Sequence, residues 1–177
     1  MVHPIPRSGL SFFAVCYYVC FTFIGSMIMP VTYRELDLEC IYPDNWKLTE
    51  DNGDEGLIGF TVESPDAAFF SLIRYPWNCP PREVLERAVP AMNEDYDQFE
   101  SNPFEPQLEI PDSRGAEVNF YCLDLLVTSQ LIAFTLRPYT YLVQMQAEDR
   151  TYQKLKPVFQ AMLVSILRSL GHDLKID

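Results

Sequence analysis

The stretch Leu155-Lys156-Pro157-Val158-Phe159-Gln160-Ala161-Met162-Leu163-Val164-Ser165-Ile166-Leu167-Arg168-Ser169-Leu170 decides the fold. Leu155, Val158, Phe159, Met162, Leu163, Ile166, Leu167 and Leu170 recur at steps of three or four, the period of one helical face. A stripe that continues over about four turns must lie on something flat and apolar. Gly171 is suited to end the helix, and Arg168 to the negative end of its dipole. Pro157 lacks the N–H that a helix interior needs, so the regular helix is expected to start close to it.

The flat partner is legible upstream. Thr32 to Ile41 alternates, with Tyr33, Glu35, Asp37 and Glu39 on one side and Leu36, Leu38 and Cys40 on the other, which reads as one half-buried strand. Tyr42-Pro43-Asp44-Asn45 turns, Trp46 to Thr49 resumes, and the loop Asp51 to Gly56 is built of residues that tolerate positive φ. Leu57 to Glu63 returns, Ser64-Pro65-Asp66 turns again, and Ala67 to Tyr75 is a more buried strand. Pro80-Pro81 opens a helix whose apolar face is read as Val84, Leu85, Ala88, Met92, Tyr96 and Phe99, with Pro90 inside it. Four more strands are expected at Gln107 to Ile110, Glu117 to Leu123, Leu126 to Arg137 and Thr140 to Ala147. Two helices cannot supply the crossovers of a parallel sheet. The expected class is therefore α+β: a curved, mainly antiparallel sheet of about six strands, the C-terminal helix on one face and the proline-started helix on the other face or an edge.

Composition narrows the function. The 177 residues are 48% hydrophobic and 21% charged, the range of a folded globular chain. Thirteen Lys and Arg against 25 Asp and Glu leave a net charge of −12, which repels phosphate backbones and argues against nucleic-acid binding. His3 and His172 are the only histidines, which removes most histidine-based catalysis and zinc chemistry. Outside the apolar run Leu10 to Met29 lie Cys40, Cys79 and Cys122, odd in number and unevenly spaced, which imply no disulfide framework and favour a reducing compartment.

Residues 1 to 30 form an apolar N-terminal segment, and residues 31 to 177 are read as one domain. Leu10 to Met29 holds 20 residues without a charge, enough for a helix of about 30 Å, the thickness of a bilayer core. An uncleaved signal anchor fits this length best and makes the chain membrane-anchored. A cleaved signal fits less well, since Gly25-Ser26-Met27 is a poor cleavage site, and neither Val15-Cys16 nor Val19-Cys20 makes a lipoprotein anchor. Translation from Met27 or Met29 would remove the segment and leave the chain cytoplasmic. Arg7 and the amino terminus balance Arg34 and Lys47, so charge sets no orientation.

The strand leading into Tyr42-Pro43-Asp44-Asn45-Trp46, the Ser64-Pro65 turn, the mid-chain amphipathic helix and the closing helix with Phe159, Met162, Ile166, Ser169 and Leu170 together resemble the PsbP-like superfamily. That group includes the photosystem II oxygen-evolving subunit, Mog-type Ran-binding proteins and small bacterial domains. The resemblance covers most of residues 31 to 170 and carries no catalytic signature. It implies an α/β/α sandwich around an antiparallel sheet, in proteins that bind or assemble and do not catalyse. Bacterial members are often exported or lipid-anchored. No functional residue transfers, because fold analogy does not carry a site with it.

Four features were weighed as sites. Asp51, Asp54 and Glu55 do not have the spacing of a calcium loop and read as a solvated turn. Glu94, Asp95, Asp97 and Glu100 read as a solvated helical face, a surface on which a basic partner can dock. Cys79 precedes a helix start, where the dipole can activate a thiol, but no second cysteine stands at redox spacing. Tyr42, Trp46, Tyr75 and Trp77 are the candidate groove for a partner or ligand, with Tyr75-Pro76-Trp77 in a turn as its centre. The expected function is a non-enzymatic binding or scaffolding domain for a protein partner, without catalytic residues, cofactor or metal, tethered to a membrane through Leu10 to Met29. The alternative is a small-ligand carrier or sensor with an apolar pocket between sheet and helix.

Overall fold

The computed structural model describes residues 29–53 and 56–174. The expected membrane helix falls outside the described residues, apart from Met29. Among the described residues no helix is long and apolar enough to cross a membrane. In chain order the elements are β1 (Pro30–Glu35), β2 (Leu38–Pro43), β3 (Lys47–Asn52), β4 (Ile58–Glu63), β5 (Phe69–Tyr75), α1 (Pro81–Asp95), β6 (Asp97–Phe104), β7 (Ser113–Cys122), β8 (Leu125–Leu136), β9 (Tyr139–Glu148) and α2 (Asp149–Ser169).

Strands β3 to β9 form one seven-stranded sheet in the order β3-β4-β5-β9-β8-β7-β6, and β1-β2 is a separate hairpin. Every pairing is antiparallel. The α+β class and the antiparallel sheet stand as read, with seven strands in place of about six. Alternation along the central strands gives the sheet two apolar faces. On β9, Tyr141, Val143, Met145 and Ala147 join a core with α2, while Leu142 joins a second core with α1. The strands therefore carry one helix on each face.

The C-terminal helix buries the stripe that its sequence marks out. Phe159, Met162, Leu163, Ile166 and Leu167 are buried against Phe60, Phe70, Leu72 and Phe134 of the sheet. Each such side chain contributes roughly 1.5–3 kcal/mol by leaving water. Gly171, at φ 81, closes the helix in a Schellman arrangement: its N–H reaches the Arg168 carbonyl at 3.0 Å and the His172 N–H reaches the Leu167 carbonyl at 2.8 Å. The start differs from expectation. The helix begins at Asp149, capped by the Glu148 carboxylate accepting from the Thr151 N–H at 3.0 Å, so Pro157 sits in its interior. Pro157 and Gln153 are both on the exposed side, where water takes the carbonyl that the proline leaves without a donor.

Two further readings are corrected. Thr32 to Ile41 is a hairpin and not a single strand, because Leu36 and Asp37 adopt left-handed conformations at φ 59 and 60 without a glycine to signal the turn. Tyr33 then faces Cys40 across the pair, and both are buried. Arg74 holds that turn, donating from Nη1 to the Leu36 carbonyl at 2.9 Å and stacking at 4.4 Å over the Tyr139 ring. In the second case, Tyr96 and Phe99 lie beyond α1, which ends at Asp95, and strand β6 replaces the expected Gln107–Ile110 strand. A bulge between Asp97 and Glu100, with Gln98 at φ 52, turns the two-residue period of a strand into a spacing of three. Tyr96 and Phe99 therefore both meet Phe120, at ring distances of 4.0 and 6.5 Å, and mimic a helical face in the sequence. Pro103 is tolerated because β6 is an edge. Leu108 and Ile110 are buried as their alternation suggests, but Leu108 makes only an isolated bridge to Leu174.

The hairpin β1-β2 lies beside α2 in the same layer. The N–H groups of Glu39 and Ile41 donate to the hydroxyls of Ser169 and Ser165, both at 2.9 Å. Those hydroxyls in turn donate to the carbonyls of Ile166 and Met162, both at 2.7 Å. Two serines one turn apart thus finish the edge of β2.

Replacing Leu163 by Asp places a carboxylate in the helix–sheet interface, at a cost on the order of 3–5 kcal/mol. The expected thermal melt is uncooperative, whereas Leu163→Met stays within about 1.5 kcal/mol of the parent. A native-like melt of the Asp variant would show the buried face to be misassigned. Ser165→Ala and Ser169→Ala should each cost about 1 kcal/mol in urea titration, because water reaches the exposed N–H groups they release. No loss in the double variant would mean that the serines do not hold the hairpin.

Candidate functional site

The four aromatic residues expected to line one groove are divided by the fold. Trp46 is buried and meets Phe159 edge-on at 6.0 Å, and Tyr42 packs partly buried on the same α2-side core. Tyr75 packs on the α1-side core, and Trp77 stands against it at 6.3 Å with 40% of its surface exposed. The two pairs also sit at opposite ends of the sheet. Tyr75 pairs with Thr140 at one end, while Trp46 enters β3, whose Lys47 pairs with Glu63 at the other.

The Tyr75–Trp77 pair is held firmly. The segment that follows it leads into α1, and Thr140 clamps that segment. The Thr140 hydroxyl accepts from the Cys79 N–H at 3.1 Å and donates to the Cys79 carbonyl at 2.7 Å. A buried threonine on β9 thus fixes the loop from which Trp77 projects. An aromatic pair with one ring seated and one ring exposed is the form taken by an anchor residue at a binding surface.

The remaining chemistry is muted. Burial pushes the Cys79 thiol above its ordinary value, and the neighbouring Glu83 carboxylate, 3.9 Å away, pushes it further. That is the opposite of an activated nucleophile, whatever the helix N-terminus offers. Burial likewise raises Cys40 to about 12. Glu94 belongs to α1 and Glu100 to β6, so the four acids read as one helical face do not share one. The acidic loop after Asp51 includes residues 54 and 55, which lie outside the described residues. Among the described residues no group of three or more His, Cys, Asp or Glu is placed to hold a metal ion.

Among the described residues, buried side chains pack both helix–sheet interfaces. Phe60, Phe70, Phe134 and Phe159 fill the α2 side, and Val84, Val118 and Phe120 the α1 side, each at most 1% exposed. Among the described residues, an open depression of about 220 Å³ is lined by Asn45, Lys47, Glu63, Ser64 and Pro65, at the sheet end near Trp46.

A feature that sequence reasoning missed is the β7–β8 hairpin tip, where Tyr121, Leu123, Leu125 and Leu126 are all exposed. The signal available was Cys122-Leu123-Asp124-Leu125, which repeats the Leu-Asp-Leu of the β1–β2 turn. Arg74, the strand residue that locks that first turn, was missed as well.

No family model matches the chain, and no curated protein sequence matches it. Solved structures do. The solution structure of cyanobacterial PsbP (CyanoP) from Synechocystis sp. PCC 6803 aligns with a TM-score of 0.55 at 14% identity, covering 81% of this chain and 96% of that one. A protein of unknown function, PA94 from Pseudomonas aeruginosa, aligns at 0.45 with 13% identity over 76% and 93% of the two chains. LpqN, involved in cell envelope biogenesis of Mycobacterium tuberculosis, aligns at 0.42 with 14% identity over 78% and 83%. The likeness to the cyanobacterial protein, together with the antiparallel sheet and the C-terminal helix packed on it, shows that this chain has the PsbP-like fold.

Proposed function

We propose that this chain is a non-catalytic binding domain that engages a protein partner and is tethered to a membrane by residues 10–29. The observation that carries the reading is an exposed tryptophan held on a clamped loop. Both helix–sheet interfaces are filled, while Trp77 is presented outward from a clamped loop. A filled interior leaves little room for a ligand between sheet and helix, so the carrier reading is the less supported of the two. The raised thiols and dispersed carboxylates also favour binding over catalysis. With a net charge of −12, a partner with a basic face is favoured over an acidic one.

The test is a photo-crosslinking residue placed at position 77, and at Asp66 on the opposite end, in the full chain in its native cells. The expected result is one discrete protein adduct at 77 and none at 66. Affinity for the identified partner should fall roughly 30-fold on Trp77→Ala, as for a hot-spot anchor worth about 2 kcal/mol. Equal labelling at both positions, or an affinity unchanged by Trp77→Ala, contradicts the reading. A small molecule that co-purifies stoichiometrically would favour the carrier instead.

A further inference from the structure

The β7–β8 hairpin reaches past its neighbours. Pairing with β6 stops at Tyr121, opposite Asp97, and pairing with β9 stops at Val127, opposite Glu148. Leu123 to Leu126 therefore extend past the neighbouring strands, while Cys122, paired with Leu125, still packs partly buried on the α1-side core. Successive cross-strand pairs point to opposite faces. Tyr121 and Leu126 consequently clothe one face of the prong and Cys122 and Leu125 the other. Leu123 caps it at 91% exposure.

The tip costs the fold something. Leu123 and Asp124 sit at φ 49 and 64, a conformation that L side chains rarely adopt. The β1–β2 turn uses the same Leu-Asp pair, also left-handed at φ 59 and 60, but there Leu36 packs partly buried on the core and Arg74 ties its carbonyl. The comparison within one chain shows what a Leu-Asp turn looks like with its leucine covered. At Leu123 no contact among the described residues covers the side chain.

The position of the tip says which cover. It lies at the sheet end where β3 begins, β4 ends and β9 ends, because Lys47 pairs with Glu63, Glu63 with Phe69, and Phe69 with Gln146. Met29 is at that end too: its carbonyl accepts from the Asp44 N–H at 2.9 Å, just ahead of β3. The opposite end of the β1–β2 hairpin is held by Arg74 near Tyr139. Met29, the last residue of the uncharged run, thus lies at the end from which the prong projects. The prong shows Tyr121 and Leu126 on one face, Leu125 on the other, and Leu123 at its apex beside the exposed carboxylate of Asp124; a wet headgroup layer keeps that carboxylate solvated, whereas burial against a protein would strip its water. Asp44, Asp66, Asp124 and Glu148 at the same end disfavour anionic headgroups.

We propose that the tip from Tyr121 to Leu126 is a membrane-contacting prong that seats shallowly among zwitterionic lipid headgroups, giving the tethered domain a second point of contact. This rests on the tether reading above. Contact at two points fixes the orientation of the domain, which a single flexible tether does not, and it leaves Trp77, at the far end of the sheet, turned away from the lipid.

The test uses the full chain reconstituted with phosphatidylcholine vesicles, carrying Leu123→Trp or, at the opposite end of β8, Arg137→Trp. Both sites are exposed, so both variants should keep the parent melt. On vesicles the added emission of Leu123→Trp is expected to shift to the blue and to fall roughly twofold when the acyl chains are brominated, as for a group in the upper 5–10 Å of the bilayer. That of Arg137→Trp should not change. Protein that floats with the vesicles while both added tryptophans stay unquenched overturns the prong and leaves the tether standing. Protein that does not float overturns both. A blue shift that grows with protein concentration in the absence of lipid assigns the tip to a second copy of the chain and overturns the lipid contact.

Discussion

A single amphipathic helix must be covered along its whole apolar stripe, and the rest of this structure follows from that requirement. The α2 stripe is long enough to need several strands beneath it, and the sheet supplies Phe60, Phe70, Leu72 and Phe134 as its floor. The helix is too narrow to roof β3 and β4 as well, and the β1–β2 hairpin completes that layer by placing Tyr33 over Phe60 at 4.6 Å. Ser165 and Ser169 lock helix and hairpin side by side, each hydroxyl accepting from β2 and donating to the helix backbone. An open strand edge is thereby finished by a helix, one of the ways in which sheets avoid pairing with other chains.

Much of this was legible. The α2 stripe and the two-sided alternation of β9 appear in the sequence because burial there is periodic and uninterrupted. Where reading failed, a local backbone feature had changed the period. The bulge at Asp97–Glu100 gave strand β6 the spacing of a helix, and two left-handed residues at Leu36–Asp37 folded one apparent strand into two. Neither carries a glycine that would announce it, since Leu36 is kept in place by tertiary contacts to Arg74 and the core. The candidate groove was legible only in part. Tyr75 and Trp77 do meet, but an exposed tryptophan and a buried one look alike in sequence, so Trp46 was grouped with a surface it does not share. The prong at Leu123 was hidden for the same reason, because apolar strand residues read as core.

Aromatic and aliphatic side chains pack both helix–sheet interfaces, and Trp77 and Leu123 are exposed at the two ends of the sheet, in a loop and a hairpin tip. Those ends differ: one carries the clamped Trp77 loop and the other the prong, the open depression and Met29. A seven-stranded sheet lies between them.

The claim beneath all of this is that α2, the hairpin and the sheet form one cooperative unit. Native-state hydrogen exchange tests it most directly, by comparing the amides of Phe159 to Leu167 with those of Val143 and Met145 in β9. The account predicts that both sets exchange only through global unfolding, with the free energy found in denaturant melts. Exchange of the α2 amides at a distinctly lower free energy than those of β9 would show the helix detaching on its own, and would contradict it.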